Sequence, residues 1–314
     1  MPHLLSALFS LFSFAALLEA VQWKLQENVY VIESEWNAET PATRVELTCN
    51  TPHEAVYWKK GSEWKGKGKT LIVEVKEFPD AGNYTCLAEN THEILSYNFL
   101  LISKVNSNGQ MIRSILTSFK EPMQTFIKCE AKNYSGIFMC SWMTENESPN
   151  MKFTIRGLKG SQGDVTCSSP VAHTDGSVTK YTTQCRKENY CPFAEEHQPI
   201  YVFLEVIDEV EYENYTSSFF IRDIIKPDPP QCQYVATNGM VTWKYPKTWS
   251  TPKSYFPLTF KVKVKSPKKR GHQVYDTDEE SIHLPNTGPK DEISVQARDR
   301  YYHSSWSDWS SLCR

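Results

Sequence analysis

Asp80-Ala81-Gly82-Asn83-Tyr84-Thr85-Cys86 is the stretch that decides the fold. In an extended chain, alternation turns Tyr84 and Cys86 to the same face. Cys49 ends a second β-type run, Val45-Glu46-Leu47-Thr48-Cys49, and Trp58 follows in Val56-Tyr57-Trp58. Two strands that each point a cysteine inward, with a tryptophan between them, ask for two facing sheets bridged by Cys49–Cys86 over Trp58. The bridge closes a loop of about 38 residues, worth roughly 3–4 kcal/mol in the chain-entropy account.

Such a bridge needs an oxidising compartment. The N-terminus supplies the route. Leu4–Leu18 reads LLSALFSLFSFAALL, too short to span a bilayer but suited to the apolar region of a signal peptide. Leu18-Glu19-Ala20 offers a cleavage site, so residues 1–20 are expected to be removed and the product secreted into the extracellular space. No later stretch reads as a membrane span. Four glycosylation sequons agree with that route, at Asn83, Asn133, Asn146 and Asn214. Nine cysteines is an odd number, so at least one is free or joined to another chain.

Composition removes other classes. Lys and Arg number 34 against 37 Asp and Glu, a net charge of −3, which gives no nucleic-acid footprint. Nine tryptophans and 13% aromatic residues exclude disorder. The chain has no H-E-x-x-H and no G-x-S-x-G. The phosphate-loop pattern fails at Glu63, ahead of Gly68-Lys69-Thr70. The eight histidines lack metal-ligand spacing. No enzyme, metal or cofactor is expected.

Short alternating runs between turn signals recur at 28–33, 44–49, 70–75, 201–207, 260–264 and 293–297. The chain therefore reads as all-β, with three β-sandwich modules in series of about 100 residues each. Ile225-Lys226-Pro227-Asp228-Pro229-Pro230 marks the sharpest boundary, because three prolines cannot continue a central strand. A second falls near Lys104–Asn108. The modules are expected at 21–105, 106–228 and 229–314.

The first module resembles an immunoglobulin domain, through Cys49, Trp58 and the D-x-G-x-Y-x-C pattern at 80–86. In the second, Cys129 and Cys140 followed by Trp142 resemble the first fibronectin type III module of haematopoietic cytokine receptors. That resemblance implies bonds Cys129–Cys140 and Cys167–Cys185. The third module ends in Trp306-Ser307-Asp308-Trp309-Ser310, the W-S-x-W-S box of the second module of those receptors. There the tryptophans interleave with guanidinium planes. Arg298 and Arg300 lie two apart on one strand face and are the expected rungs.

This order of modules, with Tyr212–Pro230 and Asp299-Arg300-Tyr301-Tyr302, resembles the soluble receptor-like subunits of the interleukin-12 family of heterodimeric cytokines. The resemblance implies a partner, a four-helix-bundle alpha subunit of interleukin-12 or interleukin-23 type, and presentation of the pair to cell-surface cytokine receptors. It places an acidic and aromatic pocket for a partner arginine at the elbow of the second and third modules. The matching positions are Tyr134, Glu195, Tyr255, Asp299 and Tyr301. It also makes Cys191, on the loop Tyr190-Cys191-Pro192-Phe193-Ala194-Glu195-Glu196, the cysteine joined to the partner. A bond from Cys191 to Cys185 or Cys167 is the alternative. The rival function is a soluble decoy receptor, which has no need of a covalent partner.

Two features depart from the family or stand outside it. Cys232 and Cys313 remain in the third module. The two ends of a seven-strand sandwich lie at opposite poles, roughly a 20 Å strand apart, so these cysteines are expected not to bond to each other. Each would be free or joined to a second copy in a homodimer. Lys261, Lys263 and Lys265 share one strand face, and Lys268-Lys269-Arg270 extend it. This stripe suits a heparin-like glycosaminoglycan, or else a solvated, edge-protecting face.

Overall fold

The computed structural model describes residues 22–119, 124–145, 148–158, 165–250, 255–267 and 271–314. The signal-peptide segment, Asn146 and Lys268–Arg270 lie outside them. The chain is all-β and forms two compact units. One comprises residues up to Ile112 with Val210–Tyr212; the other comprises Arg113–Glu209 and Glu213–Arg314. Among the described residues no helix is long and apolar enough to cross a membrane.

The first unit holds β1 (Gln22–Gln26), β2 (Val29–Glu35), β3 (Thr43–Thr48), β4 (Val56–Lys60), β5 (Glu63–Lys67), β6 (Thr70–Val75), β7 (Gly82–Ala88) and β8 (Ile94–Val105). Strands β3 and β6 make one antiparallel sheet. The facing sheet runs β8-β7-β4-β5, with β2 parallel to β8. Alternation explains the core. Val45, Leu47, Leu71 and Val75 point in from one sheet, and Trp58, Tyr84, Cys86, Leu100 and Ile102 from the other. Cys49 and Cys86 bond across the sheets with Cα atoms 6.0 Å apart. Trp58 is buried beside this bond, and its indole N–H donates to the Gly68 carbonyl at 2.9 Å. The Tyr84 hydroxyl donates to the Asp80 carbonyl at 2.6 Å, and burial pushes its pKa up to about 12. The Asp80–Cys86 pattern thus closes a turn and lines the core with the same residues.

The second unit begins with β9 (Leu116–Thr117), β10 (Lys128–Glu130), β11 (Ile137–Thr144), β12 (Lys152–Gly157), β13 (Val165–Cys167), β14 (Val171–Asp175), β15 (Val178–Lys187), β16 (Ile200–Asp208) and β17 (Glu211–Phe219). One sheet runs β10-β11-β15-β13, and the other includes β12-β16-β17. Cys129 lies directly opposite Cys140, and Cys167 opposite Cys185, and both pairs are bonded. Trp142 is buried, stacked on Tyr181 at 5.9 Å and tilted against Phe153. The buried Glu213 carboxylate accepts the amide N–H groups of Ser114, Ile115 and Leu116 at 2.6, 2.7 and 3.0 Å. Backbone donors satisfy this charge, which is how a buried carboxylate is tolerated.

The same unit continues with β18 (Gln231–Val235), β19 (Met240–Lys244), β20 (Leu258–Lys265), β21 (Gln273–Thr277), β22 (Ser281–His283) and β23 (Glu292–Asp299). They form sheets β18-β19-β22 and β21-β20-β23. One continuous apolar core runs from Ile115 to Cys313.

Cys232 and Cys313 are bonded, with Cα atoms 4.9 Å apart, which corrects the expectation that they stay separate. The error lay in where the first extended run begins. The segment after Ile225 already lies along the sandwich: the Ser305 amide donates to the Ile225 carbonyl at 3.1 Å. From there both segments run the same way. Cys232 therefore sits toward the end of the first run rather than at its start, level with the end of the last.

Candidate partner-binding site

The site is built on the end of β23. Asp299 is fully buried and its carboxylate is fully engaged. One oxygen accepts the Tyr134 hydroxyl at 2.8 Å; the other accepts the amides of Tyr301 and Tyr302 at 2.8 and 3.0 Å. The Asp299 amide donates to Ser304 Oγ at 2.9 Å, closing the turn that follows the strand. Tyr134 comes from the link between β10 and β11 and is itself buried. Burial, and then the Asp299 charge, hold its hydroxyl far above the ordinary tyrosine pKa, so it stays a neutral donor.

Above this pair lies an aromatic cluster. Phe256 is buried and acts as its hub, with its ring 4.8 Å from Tyr134, 5.3 Å from Tyr255, 6.0 Å from Tyr301 and 5.7 Å from Tyr302. Trp249 packs on Tyr134 and donates its indole N–H to the Phe256 carbonyl at 3.1 Å. Phe193 meets Tyr255 at 5.4 Å. The rim is open to solvent: Tyr255 is 71% exposed, Tyr301 63% and Phe193 52%. Large apolar rings left open side by side mark an interaction surface.

The loop bearing Cys191 is fixed at both ends. Glu196, whose side chain is buried, accepts the amides of Ile221 and Arg222 at 3.0 and 3.2 Å. Arg222 reaches back to the carbonyls of Ala194 and Glu196, both at 3.2 Å. At the other end Gly136 has φ of +71°, and a Cβ there would lie 2.6 Å from the Cβ of Tyr190. Only glycine allows both that conformation and that approach. Between these anchors Cys191 is half-buried and is the one cysteine without a disulfide.

Tyr134, Tyr255, Asp299 and Tyr301 thus share one cluster, linked through Phe256. Glu195 is exposed on the Cys191 loop, two residues beyond Phe193. Phe193, Trp249, Glu196, Phe256 and Tyr302 were not among the expected site residues. The Tyr255-Phe256 and Tyr301-Tyr302 doublets were the available signals. The acidic and aromatic residues expected at the pocket take separate places here. Asp299 shores up the turn from beneath, and the solvent-facing surface is aromatic.

The W-S-x-W-S segment lies alongside β23. The amides of Ala297 and Val295 donate to Ser307 Oγ and Ser310 Oγ, each at 2.9 Å. Backbone amides of Ser307 and Ser310 donate back to the same two residues' carbonyls at 2.8 Å. Each serine thus completes a pair with an alternate strand residue, and the tryptophans stand outward. Arg298 lies 4.6 Å over Trp306, Lys261 lies 4.7 Å from the same ring, and Lys263 lies 4.2 Å over Trp309. Arg300 is not a rung, which corrects the expectation. It donates to the carbonyls of Leu258 and Asp278 and pairs with the Asp278 carboxylate at 3.3 Å. Lysines take its place because Lys261 and Lys263 lie opposite Gln296 and Ser294, on the Arg298 face. The lysine stripe is therefore occupied: two members stack on tryptophan, and Lys265 pairs with Glu292 at 3.1 Å.

The sequons differ. Asn83 is exposed and Asn214 half-buried. Asn133 is buried, its side-chain amide donates to the Thr248 carbonyl, and its oxygen accepts the Ser135 amide. Among the sequons within the described residues, that of Asn133 is the most enclosed.

These features together define a class: an all-β, disulfide-bonded chain of stacked sheets with an open aromatic rim at the end of β23. A family profile described as "Cytokine interleukin-12p40 C-terminus" matches residues 124–208. The interleukin-12 subunit beta of Ovis aries is 45% identical over 322 residues, covering 97% of this chain and 96% of that protein. The Sus scrofa protein is 45% identical over 326 residues, covering 99% and 98%. That of Felis catus is 44% identical over 333 residues, with the same coverage. The chain belongs to the interleukin-12 subunit beta family. It is a cytokine subunit and not an enzyme.

Proposed function

We propose that this chain is the secreted, receptor-like half of a heterodimeric cytokine. It would grip a four-helix-bundle alpha subunit of interleukin-12 or interleukin-23 type and present it to cell-surface receptors. The observation that carries this reading is the exposed rim of Phe193, Tyr255, Tyr301 and Tyr302 beside a free Cys191 on an anchored loop. Tyrosine-rich surfaces of this kind dominate binding energy. Glu195 adds a carboxylate beside the rim for a cationic partner side chain. Asp299 and Tyr134 are read as positioning residues that hold the Tyr301 turn.

The three-module division at about 105 and 228, the signal peptide, and glycans at Asn83 and Asn214 belong to the same proposal. With Cys232 bonded to Cys313, any covalent link to an alpha subunit or a second copy passes through Cys191. A homodimer through Cys232 or Cys313 is set aside. A glycosaminoglycan role for the lysine stripe gains no support from its engaged side chains.

The test is co-expression with candidate alpha subunits in eukaryotic cells, followed by non-reducing electrophoresis and disulfide mapping. The expected result is a mixed disulfide at Cys191 that Cys191→Ser abolishes. A chain secreted alone, with no partner captured by either version, would favour the decoy reading.

A further inference from the structure

We infer that Asn83 carries an N-linked glycan whose first sugars lie on an apolar outer face of the first unit and cover it. The inference rests on the proposed reading of Asn83 as a glycosylation site and adds what that glycan touches. The face is formed by β8, β7, β4 and β5. Asn83 lies opposite Phe99, Thr85 opposite Tyr97, and Leu87 pairs with Ile94. Tyr57 lies opposite Leu87 and Lys59 opposite Thr85; on the far side Lys59 lies opposite Trp64. Trp58, Tyr84 and Cys86 point into the core. Alternation, with a register shift between Cys86 and Leu87, turns Tyr57, Trp64, Leu87, Ile94, Tyr97 and Phe99 away from that core; Tyr57 and Leu87 are already buried on this side and Phe99 is half-buried. Ile94 is 66% exposed, Trp64 57% and Tyr97 44%. These exposed rings and side chains on β8 and β5 flank the strand that bears Asn83, and apolar surface left open there calls for a cover.

The sequon is rooted in this patch. Asn83 and Thr85, the two residues the sequon requires, both stand on the outer face. Cross-strand Cβ atoms lie about 4.5–5.5 Å apart, about the length of one sugar ring. The first sugar on Asn83 then lies over Phe99, and the next reaches Tyr97. Pyranose rings present flat CH faces, and aromatic faces gain dispersion contact with them. In the attachment step the bond between Asn83 Nδ2 and sugar C1 forms. The C1–O bond of a lipid-linked oligosaccharyl diphosphate donor breaks, the lipid diphosphate leaves, and Nδ2 gives up one proton. A protein partner on this face would have to displace a sugar chain attached inside its footprint.

The test uses the full chain secreted from eukaryotic cells. Glycopeptide mass spectrometry reads occupancy of Asn83. The glycosylated protein is then compared with natively deglycosylated protein and with Asn83→Gln, by binding of an apolar dye and by hydroxyl-radical labelling of Tyr97 and Trp64. Occupancy is expected, with dye emission rising about two-fold on glycan loss and labelling of both rings increasing. Asn214→Gln is expected to change neither. An unoccupied Asn83 overturns the inference together with the glycosylation reading. An occupied Asn83 whose removal changes neither dye binding nor labelling overturns the covering alone. Protection of Tyr97 and Trp64 in Asn83→Gln that grows with protein concentration would assign the face to a second copy and overturn it as well.

Discussion

Two aromatic groups, one alongside β23 and one at its end, behave in opposite ways. The ladder of Trp306 and Trp309 carries its own cations, Arg298, Lys261 and Lys263, on a neighbouring strand face. The rim of Tyr255, Tyr301 and Phe193 has aromatic neighbours beneath it and solvent above. Aromatic faces attract cations in both places. In the ladder that attraction is spent within the fold, and in the rim it is left open to solvent. Residue type therefore does not separate a structural cluster from a binding one. What separates them is whether the fold supplies the complementary charge.

The sharpest way to break the comparison is at the base of the rim. Asp299→Ala would strand the buried Tyr134 hydroxyl and free the amides of Tyr301 and Tyr302. We expect a loss of about 3–5 kcal/mol in denaturant unfolding and loss of partner capture. Asp299→Asn keeps an acceptor and is expected to cost less. An Asp299→Ala chain of native stability would mean that the carboxylate serves a partner rather than the turn.

The rim itself should show the converse. Tyr255→Ala and Tyr301→Ala remove exposed rings, so each is expected to change stability by no more than about 0.5 kcal/mol. Each is expected to weaken alpha-subunit binding by about 2–4 kcal/mol, read by titration of the purified subunits. Equal losses in stability and binding would make the rim a piece of core.

The ladder is expected to respond in stability alone. Arg298→Ala removes a guanidinium stacked on Trp306 and should cost about 1–2 kcal/mol with partner binding unchanged. A binding loss beyond that would put the ladder in the interface and erase the distinction.

Local chemistry was legible in the sequence, and long-range placement was not. The Asp80–Cys86 pattern announced the first unit because its turn, hydroxyl bond and disulfide involve residues a few positions apart or on facing strands. The Tyr134–Asp299 pair spans 165 positions, and no spacing rule brings it together; the family resemblance did. Phe256 was missed because its role depends on packing against Tyr134, which is far from it in the chain. Asn133 fits the sequon pattern as well as Asn83 does, yet the fold turns it inward to a carbonyl far along the chain. Cys232–Cys313 was misjudged because where an extended run begins is a tertiary fact. In the ladder, periodicity on β23 gave Arg298, and the remaining rungs came from a neighbouring strand that periodicity along one strand does not see.

The smallest expected effect concerns two lysines that look alike in sequence. Lys263 stands 4.2 Å over Trp309, whereas Lys265 pairs with Glu292 and is well exposed. Lys263→Gln should cost about 0.5–1 kcal/mol. Lys265→Gln should cost less than about 0.5 kcal/mol, and high salt should remove even that. Both are read by urea unfolding at low and high salt. The stack on Trp309 excludes water from one side of the ammonium, so its contribution is expected to persist where the exposed pair is screened. Equal, salt-sensitive costs would mean that Lys263 is an ordinary surface charge, and that the ladder is held by Arg298 and the two serines.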